Sequence, residues 1–176
     1  MNTNNPPPLS LTESIFCAAD AAEEHEEFTL AASLFLQAAL MGDGAAMSRL
    51  AILYESGRGV SWDVEASMAW DRRAIDAGHA TSRFNLGITC RRSGQIRQAR
   101  YWFEQALEHG DHDAALELAK LYVVSDKERD TVRGYLQQVL HSEDVFPSSK
   151  EEAAEMLAAL DQVSAKAGPY QTGAQP

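Results

Sequence analysis

The sequence predicts an all-α fold: a solenoid of about four helix-turn-helix repeats followed by a C-terminal capping helix. Three observations predict it. A motif of small and large apolar residues recurs at offsets of 36 and 32 residues. Inside each copy the motif residues stand four apart, the spacing that lines one face of a helix. Glycines punctuate the copies where a helix end calls for a residue of positive φ.

Copies begun at Gly42, Gly78 and Gly110 fall into register. Four residues on stand Ala46, Ser82 and Ala114; eight on, Leu50, Leu86 and Leu118; nine on, Ala51, Gly87 and Ala119; twelve on, Tyr54, Cys90 and Tyr122. Small residues at the ninth position let a second helix approach closely, and the larger ones fill the gaps. A second helix precedes each glycine. It reads Ala31, Leu34, Phe35, Ala38 in one copy and Ala99, Trp102, Phe103, Ala106 in another; the middle copy, Ala66, Trp70, Ala74, is shifted by one at its start.

Weaker copies extend the array. Val132, Tyr135, Leu136, Val139 and Leu140 form a degenerate fourth, and Ser14, Ala18, Ala19 and Ala22 place the first helix of an initial unit. Gly42, Gly78, Gly94 and Gly110 suit positions just past helix ends. Ser10 with Glu13 and Ser149 with Glu152 have capping-box spacing, and Asp63 can cap a helix running to Asp76. With Pro147 ahead of it, the capping helix is expected to begin near Ser149. The expected organisation is a disordered N-terminus over 1–9, a repeat domain over 10–164 and a flexible tail over 165–176.

At 176 residues the chain suits one domain. An apolar fraction of 45% is too high for disorder. The net charge of −11 argues against a phosphate-backbone binder and suits a basic protein partner or solubility alone. Its distribution is uneven, −7 over residues 1–48, +4 over 49–100 and −8 over 101–176. No stretch has the length of a membrane span and the start lacks a basic leader, so a cytoplasmic protein without membrane partners is expected. Cys17 and Cys90 cannot make a disulfide framework and are read as small buried residues.

One unit carries a recognisable signature. Leu50, Ala51 and Tyr54 are followed by Gly57-Arg58-Gly59-Val60, Asp63, Ala66, Trp70 and Ala74. This resembles the Sel-one-like repeat, with its leucine-glycine-x-x-tyrosine helix, glycine-x-glycine-valine loop, aspartate, and alanine-tryptophan helix. The unit from Gly78 to Gly110 lacks the loop extension and looks more like a tetratricopeptide repeat. The resemblance covers residues 28–124. It implies a right-handed stack of antiparallel helix pairs whose first helices line a concave surface, in proteins that serve as scaffolds, adaptors, chaperones or bacterial immunity proteins. First-helix residues outside the core pattern then become the candidate partner contacts: Ser48, Ile52, Glu55, Phe84, Ile88, Arg91, Leu116 and Lys120. Phe84 and Ile88, one turn apart, are read either as a hot spot or as packing against the neighbouring helix.

Catalytic patterns do not emerge. Glu23-Glu24-His25-Glu26-Glu27 lacks a second histidine at i+4 and reads as a solvated helix end. His109 and His112, flanked by Asp111 and Asp113, lack a third ligand. Gly57-Arg58-Gly59 is too short to cradle phosphate. The basic cluster Arg91, Arg92, Arg97 and Arg100 suits a partner's carboxylates better than nucleic acid. The expectation is a protein-binding module with no enzyme activity, cofactor or metal. Its finest reading is an immunity protein against a toxin, with a secretion chaperone or adaptor as the alternative, as a monomer or weak homodimer.

Overall fold

The computed structural model describes residues 9–122 and 128–166. Among them nine helices and no strands occur: α1 (Leu11–Glu24), α2 (Phe28–Leu40), α3 (Gly44–Ser56), α4 (Val64–Asp76), α5 (Ser82–Arg92), α6 (Ile96–Glu108), α7 (Asp113–Tyr122), α8 (Arg129–His141) and α9 (Pro147–Lys166). The expected disordered N-terminus and flexible tail fall mostly outside the described residues. Turns of a few residues connect most successive helices, which forces those neighbours to run antiparallel.

The spacing fixes what is buried. Ala46, Ser82 and Ala114 are buried, as are Leu50, Leu86 and Leu118. So are Ala51, Gly87 and Ala119. On the second helices, Ala31, Phe35 and Ala38 are matched by Ala99, Phe103 and Ala106, all at 0–2% exposure. Burying a phenylalanine side chain stabilises the fold by roughly 1.5–3 kcal/mol.

The described residues gather into two compact units, up to Ala99 and from Arg100, with the boundary inside α6. In the first, α1 packs on α2, α2 on α3, α3 on α4 and α4 on α5. Its core joins Ala19, Ala22, Phe35, Ala38, Leu50 and Leu53, and the Phe16 ring meets Phe35 edge-on at 5.5 Å. In the second, α7 packs on α8 and α8 on α9 around Ala119, Val132, Leu136, Val139 and Ala153. The Tyr122 and Tyr135 rings stack at 5.9 Å.

The helix ends and the cysteines answer the expectations, with two exceptions. Ser10 and Glu13 form a full capping box on α1, while the Asp43 and Asp63 carboxylates accept from Ala46 and Ala66 to start α3 and α4. Gly42, Gly78 and Gly110 hold φ near +90° past α2, α4 and α6. The turn after α1 does the same with Glu26, the one non-glycine residue of positive φ, at 61°, among the described residues. The first exception is α9, which starts at Pro147 rather than at Ser149. Proline is preorganised for the first helical position, where its missing N–H costs nothing. Glu152 reaches Lys120 instead of a cap. The second is Cys17, which lies exposed on α1 rather than buried; only Cys90 is in the core.

Candidate functional site

A groove of about 900 Å³ opens in the first unit where the ends of α3 and α5 meet the starts of α4 and α6. The C-terminal half of α3 supplies Ile52, Glu55 and Ser56; the start of α4 supplies Val64 and Glu65, preceded by Trp62 and Asp63; α5 and its end supply Thr89, Arg92, Ser93 and Gln95.

The loop between α3 and α4 sets this geometry. Gly57 ends α3 in the left-handed region, at φ 68°, and the Leu53 carbonyl accepts from it and from Arg58. Gly59 runs so close to the start of α2 that a Cβ there would overlap the Phe28 carbonyl. At the far end the Asp63 N–H donates to the Tyr54 carbonyl at 3.0 Å, turning the chain back onto α3. Trp62, caught between these anchors, is 68% exposed at the groove's edge. Opposite it, Arg92 on α5 pairs with Glu55 on α3 at 3.1 Å. Arg92 is largely solvent-exposed, so the pair contributes orientation more than stability.

The α4–α5 pair also carries a polar anomaly. Asp71 occupies the register position that Phe35 and Phe103 hold in the neighbouring copies, yet it is only 2% exposed. Burial pushes its carboxyl up to about 7; the Ser82 hydroxyl bond opposes this and the nearby Glu55 charge adds to it. The Ser82 oxygen also meets His79 Nδ1 at 3.0 Å, and burial holds that imidazole below its usual range against the pull of Asp43. A smaller cleft of about 550 Å³ beside α1 is bordered by Asp20, Glu23, Glu24 and Glu26, with Arg49 and Arg58 both reaching Glu23.

The expected contact residues are dispersed. Ile52 and Glu55 line the groove. Ser48 is buried and accepts from the Asn85 amide at 3.2 Å, which ties α3 to α5. Leu116 is buried in the core of the second unit, and Lys120 is held between Glu117 and Glu152 at 3.0 and 2.9 Å. Phe84, Ile88 and Arg91 are half-buried. Trp62, Val64 and Glu65 were not anticipated, although a tryptophan in a loop between a glycine and a helix cap is an available signal.

Among the described residues no cluster of three or more His, Cys, Asp or Glu could hold a metal ion. No helix among them is long and apolar enough to cross a membrane. Successive α-hairpins with small residues at the contacts define a helical-repeat protein of the α/α-solenoid class.

Residues 28–43, 44–79 and 82–111 match the Sel1 repeat, so the segment 28–111 belongs to the Sel1 repeat family. The unit that looked more like a tetratricopeptide repeat is included in that match. A Sel1 repeat protein from Oxalobacter formigenes superposes with a TM-score of 0.69 at 20% identity, over 85% of this chain and 61% of its own. A protective antigen present in uropathogenic Escherichia coli strains, displaying an SLR fold, gives 0.72 at 20% identity, over 87% of this chain and 34% of its own. The chain thus spans less than two thirds of either solved protein. No curated protein matches it in sequence. Sel1 repeat proteins are generally protein-interaction modules and typically non-catalytic scaffolds.

Proposed function

We propose that the chain captures a protein partner through the groove between α3, the start of α4 and α5. One observation carries this reading: Trp62 is held out of any core, 68% exposed, beside Ile52 and Val64. Tryptophan is the residue most enriched where binding energy concentrates. The half-buried Phe84, Ile88 and Arg91 extend the proposed contact along α5. The more specific role we propose is that of a bacterial immunity protein, acting in the cytoplasm by covering a cognate toxin. Its net charge of −11 supports this, since it would steer a basic partner. The second reading we propose is a chaperone or adaptor that holds an extended segment of its client in this groove.

Pull-down from the native host with wild type and Trp62→Ala, followed by mass spectrometry, tests the proposal. A stoichiometric protein captured by wild type and lost from the variant is the expected result. A partner retained equally by both, or none at all, overturns it. A folded toxin domain in the complex favours immunity; an unfolded client favours the chaperone.

A further inference from the structure

The groove's electrostatics are one-sided. Glu55, Asp63 and Glu65 face it against a single cation, Arg92, whose guanidinium is already engaged by Glu55. The C-terminal ends of α3 and α5 both open onto it, adding the partial negative charge of carbonyl-rich helix ends. Two helix N-termini also reach it: that of α4 is already served by the Asp63 cap and by Glu65 in its first turn, and that of α6 begins just after Gln95. Apolar surface from Ile52 and Val64 adjoins these charges, with the exposed indole at the rim.

Long cationic side chains want this combination. Their methylene stems bury against apolar surface while the head stays among acceptors, and an aromatic face adds attraction. The chain already uses the pairing internally, with Arg58 4.9 Å over the Phe28 ring and Arg73 4.6 Å over Trp70. Resting on the reading of this groove as the partner site, we infer that it is a socket for a lysine or arginine side chain on a basic, apolar-flanked segment of the partner.

Three blocked peptides test this: acetyl-Ala-Leu-Arg-Leu-Ala-amide and its counterparts with glutamine or glutamate at the centre. Binding is followed by the indole N–H resonance of Trp62, assigned with Trp62→Phe. The arginine peptide is expected to shift that resonance saturably, bind at least about tenfold more tightly than the glutamine peptide, and weaken as salt rises. The glutamate peptide is expected to leave it unmoved. Glu65→Gln and Glu55→Gln, checked for folding by circular dichroism, are expected to bring the arginine peptide toward the glutamine one. Equal affinity for arginine and glutamine, preference for glutamate, no binding, or shifts that bypass Trp62 would each overturn the inference. The two readings fail separately. A host partner that still binds Trp62→Ala sinks the groove as partner site, whereas one lost from Trp62→Ala that tolerates Lys/Arg→Gln in its bound segment sinks only the basic socket.

Discussion

The Ser82 hydroxyl hydrogen-bonds the buried carboxylate of Asp71, joining α5 to α4 at a point where the flanking copies set an alanine against a phenylalanine. Asp71 Oδ1 is buried without a hydrogen-bond partner among the described residues, so the ionised form is costly. A carboxyl raised from 3.8 to about 7 keeps its proton in the folded state over a range where the unfolded chain has lost it. Stability is therefore highest below about pH 4 as far as this group is concerned, and it declines as pH rises toward 7, by a total on the order of 4 kcal/mol. His79, with a lowered value, acts oppositely: its contribution falls as pH drops below the usual histidine range. Comparing denaturant unfolding of wild type and Asp71→Asn from pH 4 to pH 8 isolates the first effect, and the variant should lack the decline. The double change Asp71→Leu with Ser82→Ala should be more stable than wild type at pH 8, because it removes both polar partners together. An unchanged pH profile in Asp71→Asn would refute this account.

Gly59 and Gly42 both have positive φ, but only Gly59 meets backbone, at the Phe28 carbonyl. Gly42→Ala should therefore cost about 1 kcal/mol, the left-handed penalty alone. Gly59→Ala adds an overlap that no side-chain rotation relieves, and should cost roughly 3 kcal/mol or more. Chemical denaturation reads both. Because the same contact positions the loop carrying Trp62, Gly59→Ala should also weaken partner capture, whereas Gly42→Ala should not.

The repeat positions were legible because helical burial follows a local period: Leu50, Leu86 and Leu118 share a face by spacing alone, and all three are buried. The groove was not, because Trp62 takes its place from the approach of Gly59 to Phe28, 31 residues earlier in sequence, and no local pattern reports such a contact. Ser48 and Leu116 stand outside the repeated core positions yet are buried. Each falls on a helix flank that a neighbouring helix also covers: Ser48 is bonded from α5, and Leu116 sits in the α7–α8–α9 core. Asp71 was readable by aligning the copies, since a carboxylate stands there at a phenylalanine position.

The two thiols should separate cleanly in a labelling experiment. Cys17 is exposed on α1, while Cys90 is fully buried and burial pushes its thiol above the usual range. Reagents attack the thiolate, so Cys90 is shielded twice, by access and by protonation. Native protein should consume one equivalent of a maleimide quickly and the second only at the rate at which the core opens. Cys17→Ser should abolish the fast phase, and a fast phase that survives it would contradict the burial of Cys90.

Glu26 completes the turn between α1 and α2 in the conformation that Gly42, Gly78 and Gly110 adopt at the corresponding turns, and a side chain bearing Cβ pays roughly 1–2 kcal/mol there. It also stands beside Asp20, Glu23 and Glu24, so backbone strain and charge repulsion both oppose it. Two substitutions tell these apart. Glu26→Gln removes the charge but keeps Cβ, and should stabilise by only a few tenths of a kcal/mol in low salt and by nothing in high salt. Glu26→Gly removes both; part of its gain is offset by the greater freedom of glycine in the unfolded chain, leaving about 1 kcal/mol. For a chain of this length that corresponds to a rise in Tm of about 2–4 °C, which should persist in high salt. If Gln and Gly gave equal gains that vanished together with salt, charge and not backbone geometry would be what burdens this turn.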